Sequence, residues 1–178
     1  MSDFLNPLNP DADDIPSNFY PALQKSWSKE SCWVPVQSLW QENNPSLGNC
    51  FVSVLALWAA TDFKGEVVPV LAKQPGKDNQ DWHFLIRFGD VDVDLTRQQF
   101  LSGTEIKTLN KSDPMYDMLV KGSVFDATEN RSLRVRLRLL LQNLNENGYT
   151  IPRSADEIIN RLEQKFTALR TTPPERGL

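Results

Sequence analysis

Two apolar runs separated by only two residues constrain the fold more than any other feature of the sequence. Residues 82–88 and 91–95 flank the pair Gly89-Asp90. A two-residue connection that begins with glycine is typical of a tight β-hairpin. Because the turn determines the register, Phe88 opposes Val91, and every further pair follows from that one. The sequence therefore predicts an antiparallel hairpin with a defined register.

This register separates the hairpin side chains into two faces, because successive residues of a strand point to opposite sides of the sheet. The first face is wholly apolar and is the predicted core side. It carries Phe84, Ile86, Phe88, Val91, Val93 and Leu95. The second face carries His83, Leu85, Arg87, Asp92, Asp94 and Thr96.

The second face contains two pairs of polar residues that can interact. Asp94 is the diagonal neighbour of His83, and such neighbours lie about 7–8 Å apart at the backbone, within reach of a hydrogen bond between long side chains. We therefore expect Asp94 to orient the imidazole of His83. Asp92 directly opposes Arg87, which predicts a surface ion pair of small energetic value.

The segment from Cys50 to Ala60 is apolar nearly all round and predicts a buried helix. Asn49 or Ser46 can cap its first turn. A thiol in that turn lies near unpaired backbone N–H groups and the positive end of the helix dipole, which favour the thiolate. Cys50 is therefore the candidate nucleophile. The other cysteine, Cys32, is expected to have a packing role.

The helix and the hairpin together predict a catalytic triad. If the first turn of the helix packs against the polar face of the hairpin, His83 can take the proton of Cys50 while Asp94 holds the imidazole. The oxyanion formed by thiolate attack on an acyl carbon needs hydrogen-bond donors. The candidates are the backbone N–H of Cys50 and the side-chain amides of Asn49 and Asn44. The alternatives are an inert buried thiol and a structural histidine.

The composition disfavours several other classes of protein. The 178 residues are 40% hydrophobic and 24% charged, which is typical of a single globular domain. No run of about 18 apolar residues and no charged-then-apolar leader occurs, which predicts neither a membrane span nor a secretory signal. One histidine and two distant cysteines disfavour a structural zinc, and we expect no metal and no cofactor. The predicted location is cytoplasmic, with reduced thiols.

The chain divides into four segments by its composition and periodicity. Residues 1–18 are rich in proline and aspartate and predict a flexible N-terminal arm. Residues 19–128 carry the Cys50 helix and the hairpin and predict an α+β core. Residues 129–170 contain two amphipathic helices, the second opened by a capping box, and predict a helical pair packed on the core. Residues 171–178 predict a frayed tail.

One further strand is predicted before the hairpin, at residues 67–72. It contains Pro69, which has no backbone N–H to donate to a neighbouring strand. Proline is therefore expected at an edge strand or a bulge, and the sequence predicts one of these two positions for this segment.

Charge is distributed unevenly along the chain. Acidic residues are in excess over residues 1–130 and basic residues over 131–178. Four arginines lie in one helix-like stretch: Arg131, Arg134, Arg136 and Arg138. We interpret them as a solvated or intramolecular face, and nucleic-acid binding is disfavoured because the excess is small for a basic arm. The apolar faces of the two helices can alternatively be covered by a second copy, in a homodimer.

Several short words of the sequence, in order, resemble a known family. They are Ala-Leu-Gln-Lys-Ser-Trp-Ser-Lys-Glu at 22–30, Asn-Pro-Ser-Leu-Gly-Asn-Cys at 44–50, Gly65-Glu66, His83-Phe84, Asp94-Leu95-Thr96 and Gln99-Phe100. Together they are similar to the YunG-like family of small bacterial proteins, over about residues 20–122. The resemblance carries Cys50, His83 and Asp94 over as matched positions, and it implies no substrate because the family's function is uncharacterised.

One position departs from that family pattern, which usually has glutamine immediately before the cysteine. Asn49 stands there and is one methylene shorter. If this amide is an oxyanion donor, its reach is reduced, and Asn44 becomes the second candidate.

These observations predict an α+β protein with a papain-like core, in which a buried helix headed by Cys50 packs on a small antiparallel sheet, followed by a C-terminal helical hairpin. The predicted function is that of a cysteine-dependent hydrolase or acyltransferase. Its substrate would be a peptide, a protein or a small molecule with an amide, isopeptide or thioester bond, attacked by Cys50 with His83 and Asp94. The alternative is a catalytically inactive papain-like module that binds a ligand or acts as a scaffold.

Overall fold

The computed structural model describes residues 4–109, 112–113, 116 and 131–171, and the fold is α+β. Its helices are α1 (Phe19–Ser26), α2 (Cys50–Ala60), α3 (Arg131–Glu146) and α4 (Ala155–Thr171). Its strands are β1 (Glu66–Lys73), β2 (Asp81–Phe88), β3 (Val91–Val93) and β4 (Glu105–Thr108). Short 3₁₀ helices span Val34–Leu39 and Arg97–Gln99. The predicted boundary at 128/129 and residues 172–178 of the predicted tail lie outside the described residues.

The hairpin of β2 and β3 has the predicted register over its three pairs, but β3 ends at Val93 and not at the predicted Leu95. Phe88 pairs with Val91, and Arg87 pairs with Asp92. Gly89, at the turn, has a φ of +56°, a left-handed conformation that favours glycine. The expected ion pair between Arg87 and Asp92 also forms, with Nε 2.5 Å from Oδ1. The two-residue turn therefore places the polar face of this hairpin where the sequence predicts it.

The four strands form one antiparallel sheet in the order β3-β2-β1-β4. The predicted edge or bulge position for Pro69 is wrong, because β1 has a neighbour on both sides. Pairing of β1 with β4 begins only at Val70, opposite Thr108. The carbonyl of Pro69 accepts from the N–H of Leu109, so the ring nitrogen faces the β4 side just beyond the end of that strand. A central strand tolerates the proline here because the ladder with β4 begins one residue later, at Val70.

The main hydrophobic core lies between β2 and the helices. From the predicted core face it contains Phe84, Ile86, Phe88, Val93 and Leu95. Helix α2 packs on β2, and the rings of Phe51 and Phe84 lie 4.6 Å apart. The assignment of Val91 to the core is wrong, since this side chain lies next to the turn and is exposed. A small second cluster, formed by Val68, Val70 and Leu85, lies on the other face of the sheet.

Helix α2 has the predicted bounds, but its predicted side-chain cap is absent. Asn49 stands at the N-cap position without a capping hydrogen bond. Its side-chain amide instead donates to the carbonyls of Pro45 and Leu47, at 3.1 and 3.3 Å. The Ser46 hydroxyl is directed to the side-chain oxygen of Asn44. Both predicted caps therefore stabilise the loop that precedes the helix.

The N-terminal residues are attached to the hairpin and to the segment after it. The backbone of Leu8 pairs with that of Asp94 through two hydrogen bonds of 3.0 Å, and the N–H of Leu5 donates to the carbonyl of Phe100 at 2.9 Å. The side chain of Asn9 donates to the carbonyl of Asp92. Where the sequence predicts a flexible arm, the described residues bridge to the returning chain at two points, Phe4 with Leu101 and Leu8 with Asp94.

Helix α3 packs on α1 and α2, and α4 packs on α3. The predicted capping box at the start of α4 is present: the Ser154 N–H donates to the Glu157 carboxylate at 2.8 Å, and the Glu157 N–H donates to the Ser154 hydroxyl at 3.2 Å. Two arginines of α3 pair with acids of α4, namely Arg134 with Glu163 and Arg138 with Asp156. In the described part of the chain, no helix has the length and apolar character needed to cross a membrane.

Candidate functional site

The structure brings Cys50, His83 and Asp94 together. Nε2 of His83 lies 2.8 Å from Oδ2 of Asp94, and both side chains are almost fully buried, with exposed fractions of 0% and 1%. The Cys50 side chain lies near enough to the imidazole of His83 to raise its pKa. The start of α2 therefore lies beside the polar pair of the hairpin, since α2 packs on β2.

The Asp94 carboxylate is held from both sides. Oδ2 faces His83, while Oδ1 accepts from the backbone N–H of Thr96 at 3.2 Å and faces the Thr96 hydroxyl at 3.5 Å. The backbone of Asp94 is paired with Leu8. A carboxylate with this many partners has a single orientation, so the imidazole opposite it is fixed as well.

The His83 imidazole is enclosed by protein. Its ring packs edge-on against Phe100 at 4.9 Å, and its backbone opposes Val70 of the neighbouring strand. Burial opposes protonation of the ring, but the charge and the hydrogen bond of Asp94, together with Cys50, raise the pKa of His83 to about 10. The Asp94 carboxylate therefore favours a proton on this histidine.

The side chain of Gln99 also contacts His83, although sequence reasoning included it only among the family words. Its Nε2 lies 3.1 Å from Nδ1 of His83 and donates to the carbonyl of Thr96 at 3.0 Å. Its Oε1 accepts from the N–H of Gly48 at 3.4 Å. These two backbone partners set the direction of the amide, so an N–H group points at Nδ1. In the neutral ring, the proton therefore lies on Nε2, toward Asp94.

The two asparagines predicted as oxyanion donors use their amide N–H groups elsewhere. Asn49 is fully buried and donates to Pro45 and Leu47 within its own loop. Asn44 donates to the backbone carbonyl of Gln99 at 3.2 Å. The structure does not direct either amide at the Cys50 thiol. Both hold the loop and the Gln99 segment in place beside the thiol.

Cys50 lies in the wall of a cavity of about 860 Å³, which we call the cleft. Its apolar lining includes Trp33, Leu39, Phe51, Trp82, Phe84 and Phe100. Gln99 and Arg136 also line it. Trp33, Leu39 and Trp82 are between 42% and 64% exposed, so the rim presents large apolar side chains to solvent. A cavity of this size accommodates a small organic ligand or a short peptide segment.

The second cysteine, Cys32, has a different environment. Its side chain is fully buried, and its Sγ lies under Gly48. Burial, together with the nearby Cys50, raises the pKa of Cys32 to about 11, despite the opposing charge of Arg136. Cys32 is therefore a protonated packing group near neutral pH, in agreement with the sequence interpretation.

Gly48 is the residue on which the loop before Cys50 depends most. Its φ is +67°, and a Cβ atom placed there would lie 2.6 Å from Sγ of Cys32 and 2.7 Å from a methyl carbon of Val36. Its N–H faces Gln99, and its carbonyl accepts from the N–H of Trp33. A side chain at this position would therefore strain the backbone and displace its neighbours.

We expect Gly48→Ala to lower the free energy of unfolding by about 2–4 kcal/mol, the sum of left-handed strain and overpacking. Gly76→Ala is the matched control, because Gly76 has a φ of +73° but no atom within 4 Å of the added carbon. Gly76→Ala should lower the free energy of unfolding only by the left-handed strain, about 1 kcal/mol. Urea unfolding of both variants measures the difference. Equal losses would contradict the packing role of Gly48.

Comparison with known proteins gives one result at the level of the family. The family model described as YunG protein matches residues 16–147. The chain belongs to the YunG family. The match includes Cys50, His83 and Asp94, and it extends past the 20–122 range of the sequence resemblance to take in α3. Helix α4 lies outside the YunG match. No curated protein and no solved structure matches the chain.

Within residues 4–109, 112–113, 116 and 131–171, no three histidine, cysteine, aspartate or glutamate side chains lie close enough together to hold an ion.

Proposed function

We propose that this YunG protein is a cysteine-dependent hydrolase or acyltransferase with a papain-like core, acting on an amide, isopeptide or thioester bond. The observation that carries the proposal is the buried pair of His83 and Asp94 near a thiol that borders a cleft. A buried carboxylate and imidazole are costly to desolvate. Such a pair is therefore expected where it has a function, and here that function is to orient a base beside a nucleophile. The cytoplasmic location stays a prediction.

In the first step, the neutral form of His83 accepts the proton of the Cys50 thiol at Nδ1 while Nε2–H stays bonded to Asp94. Because the pKa of the ring is raised to about 10, the share of this reactive form increases as the pH rises toward that value. The sulfur attacks the carbonyl carbon of the substrate, and its electron pair forms the new S–C bond. The tetrahedral intermediate collapses when the bond to the leaving group breaks, and the leaving group takes the proton from Nδ1. The products are a thioester on Cys50 and a free amine or thiol.

In the second step, water or an acceptor amine enters the cleft. His83 takes a proton from it, the oxygen or nitrogen attacks the thioester carbon, and the C–S bond breaks. The proton on His83 then returns to the sulfur of Cys50. A carboxylic acid results with water and an amide results with an amine, so hydrolysis and transfer differ only in the molecule admitted.

The oxyanion of each intermediate needs a donor, and Gln99 is the side-chain amide next to the reacting groups. One of its N–H groups points at Nδ1 while the ring is neutral. When Nδ1 accepts a proton, this N–H loses its acceptor and becomes available to the negative charge that forms at the same moment. We assign Gln99, with the backbone N–H of Cys50, to the oxyanion, in place of Asn49 and Asn44.

Acylation by p-nitrophenyl acetate tests the nucleophile. We expect a burst of about one nitrophenolate per chain, with the acetyl group on Cys50 by mass spectrometry, because a bound acyl group accumulates when deacylation is slow. Cys50→Ala should abolish the burst. Cys32→Ala is the matched control and should retain it, since Cys32 is buried. A burst that survives in Cys50→Ala, or equal labelling of both cysteines, would contradict the proposal.

A second candidate function is an inactive papain-like binding module. The observation that favours it is the exposed apolar rim of the cleft, formed by Trp33, Leu39 and Trp82, which suits ligand capture without chemistry. The absence of a burst together with tight binding of a ligand in the cleft would favour this alternative. Homodimerisation through the C-terminal helices and a scaffold role also stay predictions. Sedimentation of the full chain tests both.

A further inference from the structure

One arginine of α3 points into the protein. Arg136 is 6% exposed and lies in the wall of the cleft that also contains Cys50. Its Nε donates to the carbonyl of Ser31 at 2.9 Å, and its Nη2 donates to the carbonyl of Gly48 at 3.0 Å. Both bonds are to neutral backbone groups, so the charge of the guanidinium has no compensation from them.

The neighbouring arginines of the same helix differ in this respect. Arg134 and Arg138 each form an ion pair with an acid of α4. No described residue supplies a carboxylate to Arg136 within ion-pair distance. Among the described residues its Nη1 has no hydrogen-bond partner, and the side chain borders the cleft. Burial lowers the pKa of Arg136, whereas Cys50 and Cys32 raise it, which places its charge within electrostatic range of the nucleophile.

A buried guanidinium without an anion is costly, because a charge taken out of water normally acquires a partner. The other charged groups of the cleft do not provide one: Lys77 and Asp81 pair with each other at its rim. The unused donors of Arg136 suit a carboxylate, which guanidinium groups bind in a planar, two-bond geometry. One uncompensated positive charge matches one negative charge, which favours a carboxylate over a doubly charged phosphate.

We propose that the cleft selects acyl compounds that carry a free carboxylate near the carbonyl attacked by Cys50, with Arg136 binding the carboxylate and the apolar rim binding the remainder. This inference rests on the proposed function for the reaction, but the binding of the carboxylate does not require the thiol. Arg136 also links α3 to the loop before Cys50, so the tests must separate charge recognition from support of the loop.

Two alkylating reagents of nearly the same shape provide the first test. Iodoacetate carries a carboxylate, and iodoacetamide carries a neutral amide in its place. We divide the rate of iodoacetate by the rate of iodoacetamide. At Cys50 this ratio is expected to exceed the ratio for the free thiol N-acetylcysteinamide by about tenfold, the effect of one favourable charge interaction near a protein surface. In Arg136→Gln the ratio should fall to that of the free thiol. A loop defect alone would slow both reagents alike and leave the ratio unchanged.

Arg138→Gln is the matched control, because it removes a charge from the same helix at a solvent-exposed ion pair. It should keep the wild-type ratio. A ratio in the wild-type protein that equals that of the free thiol would overturn the inference. So would an Arg136→Gln variant that keeps the wild-type ratio.

Ligand binding to the Cys50→Ala protein provides a second test. This protein cannot react, and it keeps Arg136, so the result does not depend on whether an Arg136 variant folds. We expect N-acetylphenylalanine to bind this protein about tenfold more tightly than N-acetylphenylalaninamide in calorimetry, because only the acid pairs with Arg136. Equal binding would overturn the inference. If the nitrophenyl acetate burst is absent while this preference for the acid is present, the proposed reaction fails and the carboxylate site stands.

Discussion

Replacement of Asp94 by asparagine is expected to slow acylation of Cys50 by about 10²- to 10⁴-fold, the range that a general base contributes to a reaction. The measurement is the rate of the nitrophenolate burst at neutral pH. Asn has the shape of Asp, so the change removes the charge and reverses one hydrogen bond without creating a cavity. It therefore tests the protonation of His83 and not the packing around it.

The size of this effect follows from the partners of the ring. Gln99 points an N–H at Nδ1, and its direction is set by the carbonyl of Thr96 and the N–H of Gly48. An asparagine amide directed at Nε2 would leave the neutral imidazole with a donor on both sides, although the ring itself must donate from one nitrogen. An amide turned the other way would face the N–H of Thr96, which is also a donor. Either orientation leaves one unmade buried hydrogen bond, which costs about 1–3 kcal/mol.

Thr96→Val is the matched control for this variant. It removes a hydroxyl that lies 3.5 Å from Oδ1 of Asp94 and keeps the backbone N–H, the side-chain volume and the charge of the pair. We expect its burst rate to stay within about threefold of the wild-type rate, since a contact of that length contributes little. An Asp94→Asn protein that is folded by circular dichroism and acylates at the rate of Thr96→Val would contradict the role of Asp94.

The catalytic pair could be predicted because its geometry is local. A two-residue turn determines the register of β2 and β3. The same register, continued one residue beyond the last observed pair of Ile86 with Val93, makes His83 and Asp94 diagonal neighbours. The Cys50 helix was equally predictable, because a run of apolar residues of that length must be buried on all sides. Its contact with the hairpin was a hypothesis, and it required the three-dimensional packing of Phe51 on Phe84.

Gln99 could not be found in the same way, because its role depends on the direction of an amide. That direction is set by Gly48, which is distant in the sequence, and by the carbonyl of Thr96 in a 3₁₀ turn. The prediction of Asn49 and Asn44 as oxyanion donors relied on closeness in sequence alone. Amides close to the cysteine in sequence were expected at the site, but Asn49 and Asn44 form hydrogen bonds to carbonyls that no sequence pattern reveals.

Arg136 did leave a signal in the sequence. The apolar face of α3 runs through Leu133, Leu137 and Leu140, and Arg136 follows Leu133 by three residues and precedes Leu140 by four, so it lies on that face. Arg134 and Arg138 lie off it and reach the acids of α4. Interpreting the four arginines of this stretch together as one solvated or intramolecular face overlooks that their helical positions separate them. A charge on an apolar helix face indicates a specific partner or a cavity.

The stability of the protein is expected to fall as the pH rises from about 6.5 toward 10, because of the pair formed by His83 and Asp94. In the folded protein Asp94 raises the pKa of His83 to about 10 against the opposing effect of burial, whereas in the unfolded chain the ordinary value is about 6.5. Below pH 6.5 both states hold the proton and the stabilisation is complete. Between the two values only the folded state holds it, so each increase in pH favours unfolding.

The binding of one proton by the folded state alone corresponds to a slope of about −1.4 kcal/mol per pH unit in the free energy of unfolding. Urea unfolding between pH 6.5 and 8.5 measures this slope. Higher pH is avoided because the buried Cys32, with its pKa of about 11, and Tyr20, with a pKa raised by burial to about 12, add decreases of the same sign once their unfolded forms ionise.

Asp94→Asn provides the comparison for this measurement. It removes the charge that holds the proton on His83, so the slope between pH 6.5 and 8.5 should be close to zero in the variant while its absolute stability is lower. Arg87 and Asp92 form an ion pair on the same hairpin that is partly exposed, and Asp92→Asn should keep the wild-type slope. A wild-type slope near zero would mean that the N–H of Gln99 at Nδ1 outweighs the carboxylate at Nε2. In that case the imidazole is neutral throughout this pH range, and the expected decrease in stability is wrong.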